Sequence, residues 1–313
     1  MRIAILGRTR WLLDSALALA AAGHEIGFVA SSKSASHDPT QPDDFIDLAA
    51  RFAVPFLRVA DLDAPPALAQ LQESGCEIGL SINWNRILNA AIGALPHGIL
   101  NVHAGDLPRY RGNAPVNWAI LNGEPHVGLC LHRMEPGIVD GGEVLARRHF
   151  SLTEQTYVGD VHAWLDRAIP ELVVAGFSRI VTGAAAFEDV EDALPAPRHS
   201  LRCFPRRPED SRIDWSQPAA TVHRLVRASA APYSAACTTL EGREVVRIWR
   251  ADLVQVEEAF LAIPGQVMFR QDGCPVIACG EGALVLRQIT IDGTDDADAA
   301  LALVGKSLRN RLI

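Results

Sequence analysis

A chain of 313 residues, 49% apolar and 21% charged, holds enough hydrophobic material for a large core, and its length favours two domains over one. With 37 acidic against 29 basic residues the formal net charge is -8, which argues against nucleic acid as a partner, although Arg109, Arg111, Arg206 and Arg207 supply a local basic concentration. No apolar run approaches the ~18 residues of a membrane-spanning helix.

In chain order, residues 2–6 form an apolar run ended by Gly7, and 11–22 have helical spacing stopped at Gly23, a natural helix C-terminal cap. Arg2, Arg8 and Arg10 ahead of an alanine-leucine run resemble a secretory leader, but Asp14 interrupts that run and 2–6 read as a buried strand. Strands at 25–30, 54–57, 78–82 and 98–102 then alternate with helices at 43–52, 67–73 and 87–94. That rhythm predicts an α/β fold, a doubly wound parallel sheet with ligands beyond the C-terminal ends of its strands. Segments 128–134 and 143–150 read as strands flanking a glycine-rich loop, and 157–181 as an amphipathic helix interrupted at Pro170. Residues 188–199, with Pro195 and Pro197, read as a linker. Beyond it a helix at 219–230 is followed by β-runs at 235–240, 245–249, 265–269, 276–278 and 284–289, the pattern of a small barrel or sandwich. Its β-edges are expected to lie exposed, a surface on which two subunits could pair as a homodimer. Six scattered cysteines, none in Cys-x-x-Cys or metal-ligand spacing, suit a cytoplasmic protein with reduced thiols and no bound metal.

The chemistry concentrates at the end of the strand at 98–102. Asn101 and His103, two apart on an extended segment, point to one face. The imidazole's ordinary pKa near 6.5 suits proton transfer at neutral pH. A carboxamide beside it can donate to an oxygen that gains charge, and Asp140, in the loop Gly137-Ile138-Val139-Asp140-Gly141-Gly142, can hold the imidazole in one tautomer and balance its cation. No Gly-x-Ser-x-Gly elbow is present, and Gly7-Arg8-Thr9-Arg10-Trp11 lacks a dinucleotide-binding Gly-x-Gly-x-x-Gly. The polar-aromatic loop Trp84-Asn85-Arg86-Ile87-Leu88 offers a lining for a flat ring.

Asn101-x-His103, Leu107-Pro108-x-Tyr110-Arg111-Gly112, Ala114-Pro115, Trp118, Asn122-Gly123-Glu124, Gly128 and the Asp140 loop resemble the formyltransferases that use 10-formyltetrahydrofolate. Arg206-Arg207-x-Glu209-Asp210-Ser211-x-Ile213-Asp214-Trp215 and Ala231-Pro232-Tyr233 extend the resemblance to nearly the whole chain. It implies a Rossmann-like catalytic domain over 1–190, a linker over 191–203 and an OB-like β-rich domain over 204–313. It also implies an N-formyltransferase of one-carbon metabolism in which the acceptor amine attacks the formyl carbon of the folate. Asn101 and His103 would stabilise the tetrahedral intermediate, His103 would handle the amine proton, and Asp140 would keep His103 poised. Trp84, Asn85, Arg86, Ile87 and Leu88, with Gly137, Ile138 and Val139, would hold the pterin ring, largely through backbone groups. Tyr110, Arg111, Asn113 and Trp118 would meet the acceptor. Two departures stand out: Gly105-Asp106 replaces the family's usual Ser-Leu before Leu107-Pro108, and the Asp140 loop is one residue longer, with Glu135 as the other carboxylate in reach.

The stretches 110–118 and 131–134 most resemble enzymes acting on an amino sugar carried by a nucleotide. The segments 81–84 and 213–215 resemble those acting on a hydroxyornithine-like amine of siderophore pathways. Methionyl-tRNA is disfavoured by the acidic charge. A hydrolase releasing formate, or a non-catalytic folate binder, would share the fold.

Overall fold

The computed structural model describes residues 1–33, 40–188, 200–294 and 296–313. They form two compact units, one of Met1–Pro115, His126–Ser151 and His162–Phe204, the other of Val116–Pro125, Leu152–Val161 and Pro205–Ile313. Most of the expected linker, 189–199, lies outside the described residues.

The first unit opens with β1 (Arg2–Gly7), α1 (Arg10–Ala21), β2 (Glu25–Ser31), α2 (Pro42–Phe52), β3 (Phe56–Arg58), α3 (Pro65–Glu73), β4 (Ile78–Ile82), α4 (Ala90–Gly93) and β5 (Ile99–His103). These strands pair in parallel, in the order β3-β2-β1-β4-β5. Burial runs unbroken along β4 and β5, so both sheet faces are covered, which is why their sequences are continuous hydrophobic runs. One face builds a core in which Ala4, Leu6, Phe28 and Ile99 meet Leu71 and Ile92. Helix α5 (Pro115–Leu121) follows β6 (Arg111–Gly112) in the chain but lies almost wholly in the second unit; the hairpin β7 (His126–Arg133) and β8 (Val144–Ser151) then joins β5 antiparallel, extending the sheet to seven strands.

Helix α6 (Val158–Val181) runs through Pro170 rather than breaking there. Proline costs one backbone hydrogen bond, but Leu165, Ile169, Val173 and Phe177 bury its apolar stripe and hold the helix together. The helix expected at 87–94 shrinks to α4, because the Asp63 carboxylate accepts from Asn89 N and Ala91 N at 2.8 Å each and starts the helix only at Ala90. Pairing of Arg111 and Gly112 with Arg202 and Cys203, the strand β9 (Arg202–Cys203), had no periodicity to announce it.

The second unit contains α7 (Ala219–Ser229), β10 (Ala236–Leu240), β11 (Glu244–Val254), β12 (Val267–Gln271), β13 (Cys274–Ala278), β14 (Ala283–Ile291) and α8 (Ala297–Val304). The strands pair antiparallel in the order β10-β11-β14-β13-β12. The segment 310–313 pairs with part of each outer strand. Ile313 exchanges backbone hydrogen bonds with Thr239 at 2.8 and 2.9 Å, next to β10's end, while Val267 N of β12 donates to Asn310 O at 3.1 Å. The sheet is thereby closed into a small barrel at this end, which covers part of each edge.

That closure depends on Gly265, whose positive φ of 83° and close approach to the Leu312 carbonyl leave no room for a side chain. Gly265→Ala is expected to lower stability by about 1–3 kcal/mol, the usual cost of such backbone strain. Equilibrium urea unfolding checks this; a variant as stable as the parent contradicts the closure.

Candidate active site

Strand β5 delivers Asn101 and His103 to the C-terminal edge of the parallel sheet, one strand beyond the β1/β4 position where strand order reverses. Strand β7 faces it in register and sets His132 directly opposite Asn101. The connection between β7 and β8 brings the fourth residue. Ile138 N donates to Glu135 O at 3.2 Å around Pro136-Gly137, with Gly137 at φ 76°, the signature of a type II turn. The chain then passes Asp140 in the left-handed region, φ 48°, a conformation aspartate tolerates better than most residues. Gly142 follows at φ 86°, against the Arg133 carbonyl, where a Cβ would collide.

The result is a cluster around one carboxylate. Asp140 Oδ2 accepts from Gly112 N at 2.7 Å and lies 3.5 Å from His103 Nδ1. Asp140 Oδ1 lies 3.4 Å from Asn101 Nδ2 and 3.8 Å from His132 Nε2. Glu135, the other carboxylate in this loop, is exposed. The longer loop therefore still presents Asp140 to the imidazole.

The hydrogen-bond partners fix the tautomers. His132 Nδ1 sits 2.9 Å from Gly141 O and 3.1 Å from Arg133 O, so it carries the hydrogen. Its Nε2 is then an acceptor, which requires Asn101 to turn its amide nitrogen towards it, at 3.0 Å. Burial drives the His132 pKa down to about 4, so the ring is a neutral, fixed acceptor near pH 7. His103 Nε2 lies 2.7 Å from Tyr110 O and likewise carries hydrogen, which leaves Nδ1, on the Asp140 side, as the atom free to exchange a proton. Asn101, His103 and His132 are all buried, in a place where such interactions are strong.

Of the other expected residues, Tyr110 has a buried ring and gives the site its backbone carbonyl. Arg111 and Asn113 are tied by their backbone amides to Leu201 O and Cys203 O, while Arg111 Nε is a buried donor without an acceptor among the described residues. Trp118 belongs to the second unit, where the Arg206 guanidinium lies 5.9 Å from its ring centre. Trp84 packs against the core instead of standing free, and its buried indole N–H has no partner among the described residues. Leu88 is also in that core, Arg86 pairs with Asp61 at 2.9 Å, and Asn85 and Ile87 are exposed. The two loops approach each other: a Cβ at Gly137 would lie 3.6 Å from Asn89 Oδ1. Ile138 is exposed on one and Ile87 on the other, while Val139 is half-buried. Loops that expose flat aliphatic surface beside one another fit a flat ring.

A family model for formyl transferases matches residues 1–177, and one for the formyl transferase C-terminal domain matches 206–307. The chain belongs to the formyltransferase family. It is 32% identical to a methionyl-tRNA formyltransferase of Thiobacillus denitrificans, over 98% of this chain and 97% of that one. Among solved structures, this formyltransferase resembles an N-formyltransferase from Helicobacter canadensis, with a TM-score of 0.65 at 16% identity over 92% of this chain and 98% of the other. HypX from Aquifex aeolicus is similar with a TM-score of 0.58 and 20% identity over 92% of this chain, which spans only 45% of HypX. The family's usual serine after the histidine is Gly105 here, where a Cβ would press on His103 Nε2 at 2.5 Å and on Tyr110 O at 2.6 Å. In this formyltransferase the loop after His103 thus packs more closely than a side chain at 105 allows. His132 was the residue missed by motif; its signal is the strand register, which sets it opposite Asn101.

The folded His132 titrates near 4 and the unfolded ring near 6.5, so between these values the unfolded chain binds more protons. Its contribution is therefore present above pH 6.5 and is lost as pH falls towards 4, by on the order of 3 kcal/mol. Urea unfolding across this window should show falling stability with acidification, shallower in His132→Gln; an equal slope in both proteins contradicts the buried neutral ring.

Proposed function

We propose that this formyltransferase moves the formyl group of 10-formyltetrahydrofolate to the amine of a nucleotide-linked amino sugar in the cytoplasm. The observation that carries the reading is the meeting of buried Asn101 and His103 with half-buried Asp140 at the sheet's C-terminal edge. The folate supplies a formyl carbon activated by the nitrogen that bears it. Trp84, through its free indole N–H, and the loops that contain Ile87 and Ile138 are the groups suited to hold its ring.

In the mechanism, His103 Nδ1 takes the proton that the amine loses as its nitrogen bonds to the formyl carbon. Asp140, 3.5 Å away, balances the imidazolium, and the Tyr110 carbonyl keeps the ring oriented through Nε2. Asn101 spends one N–H on His132 at 3.0 Å, while the other lies at a long 3.4 Å from Asp140. This loosely held N–H is the donor available to the formyl oxygen as it gains negative charge, and the short His132 contact keeps it aimed. The proton on His103 then passes to the departing folate nitrogen.

The acidic net charge supports a small acceptor over tRNA. The Helicobacter canadensis enzyme, whose fold this chain shares, was solved with folinic acid and dTDP-3-aminofucose. A second reading, methionyl-tRNA as acceptor, is favoured by the near full-length 32% identity to the Thiobacillus enzyme. Tetrahydrofolate appearance measured with dTDP- and UDP-amino sugars, hydroxyornithine and methionyl-tRNA separates them. A nucleotide sugar should give the highest kcat/KM. Preference for tRNA, with rates falling steeply as salt rises, overturns the sugar reading, and formate release without any acceptor overturns transfer itself. His103→Ala and Asp140→Asn should each slow turnover by roughly 100- to 10,000-fold, and Asn101→Ala by about 100- to 1,000-fold. Near-parental rates in the folded variants contradict the assignment.

A further inference from the structure

Where Asp106 replaces the leucine usual in the family, the structure gathers a second polar cluster. Across the β7–β8 hairpin, His126 pairs with Ser151 and Gly128 with His149, so the two histidines are diagonal neighbours on one face. Gly128 has no Cβ to fill the space beside them, and the Asp106 backbone occupies it. The Asp106 carboxylate then reaches both rings, His126 Nε2 to Oδ2 and His149 Nε2 to Oδ1, each at 3.1 Å. Arg147 donates to Oδ1 as well and fixes the rotation of the carboxylate. The two imidazoles are edge to face, 4.5 Å between centres, and both are open to solvent.

We infer that Asp106, His126 and His149 form a binding site for a divalent transition-metal ion of the zinc class. Two imidazole nitrogens and a carboxylate are a ligand set zinc uses with bonds of about 2.0–2.2 Å, which places neighbouring ligand atoms of a tetrahedron about 3.3–3.6 Å apart. The three ligand atoms here all lie within 4.8 Å of one another, and each imidazole nitrogen is 3.1 Å from one of the two carboxylate oxygens, so small ring movements suffice. A carboxylate has about four lone-pair positions, so Arg147 and an ion do not compete for the same one. The fourth position on the ion is left to water. Such an ion would tie the 104–110 loop to the hairpin, and that loop carries the Tyr110 carbonyl that orients His103. Its role is positional.

The test is metal binding by the full chain after treatment with a chelator. Titration with zinc, followed by elemental analysis, should give one ion per chain. Cobalt in its place should give the intense visible bands of a four-coordinate ion without thiolate charge transfer, which separates this site from the six cysteines. The His126→Gln/His149→Gln pair should weaken binding by more than roughly 100-fold, above the cost of losing only an outer-shell contact. Arg147→Met should keep the ion. Absence of saturable zinc binding, a thiolate band in the parent's cobalt spectrum, or unchanged affinity in the double variant overturns the proposal. The parent's cobalt spectrum decides the matter even where a variant fails to fold.

Discussion

The Asp140 carboxylate is the point through which the site is organised. A Pro-Gly turn followed by one left-handed residue lifts it over the end of β5, and Gly112 N clamps one of its oxygens at 2.7 Å. From there it faces His103, Asn101 and His132 together. Without this negative charge, a protonated His103 would be a cation buried with no counter-ion, a costly state. With it, the ring can take a proton and return it. His132 completes the arrangement from the other side. Being neutral and fixed by two carbonyls, it accepts from Asn101 and stops the amide turning its oxygen towards the carboxylate.

Much of this was legible in the sequence. The alternation of apolar runs and helical spacing over the first hundred residues predicted the parallel sheet, because strands buried on both faces must be hydrophobic throughout. Asn101-x-His103 announced a shared strand face, and glycines flanking Asp140 announced a turn. What escaped had no local signature. The edge closure by 310–313 is made by backbone pairing of a short terminal segment. The early end of the helix expected at 87–94 depends on Asp63, an acceptor more than twenty residues away in sequence. His132 sits in an ordinary-looking strand; only the antiparallel register of β5 and β7 gives it a role. Two-residue pairing such as Arg111–Gly112 with Arg202–Cys203 lies below what periodicity can detect.

The loop after His103 shows how one fold can be refitted locally. Gly105 lets the chain close on the imidazole, and the carbonyl of Tyr110 further along the loop receives His103 Nε2. Asp106 anchors the same loop to the β7–β8 hairpin through two histidines and an arginine. The hairpin therefore meets the loop twice, at Asp106 and through Asp140 at Gly112, and both contacts bear on the position of one imidazole.

If His103 and Asp140 act as a unit, their effects on turnover must not add. A double-mutant cycle on kcat for formyl transfer, comparing His103→Ala, Asp140→Asn and the pair, tests this most directly. A double variant no slower than His103→Ala alone, within a few-fold, is expected. Full additivity of the two losses would contradict it, because the carboxylate would then contribute independently of the ring it faces.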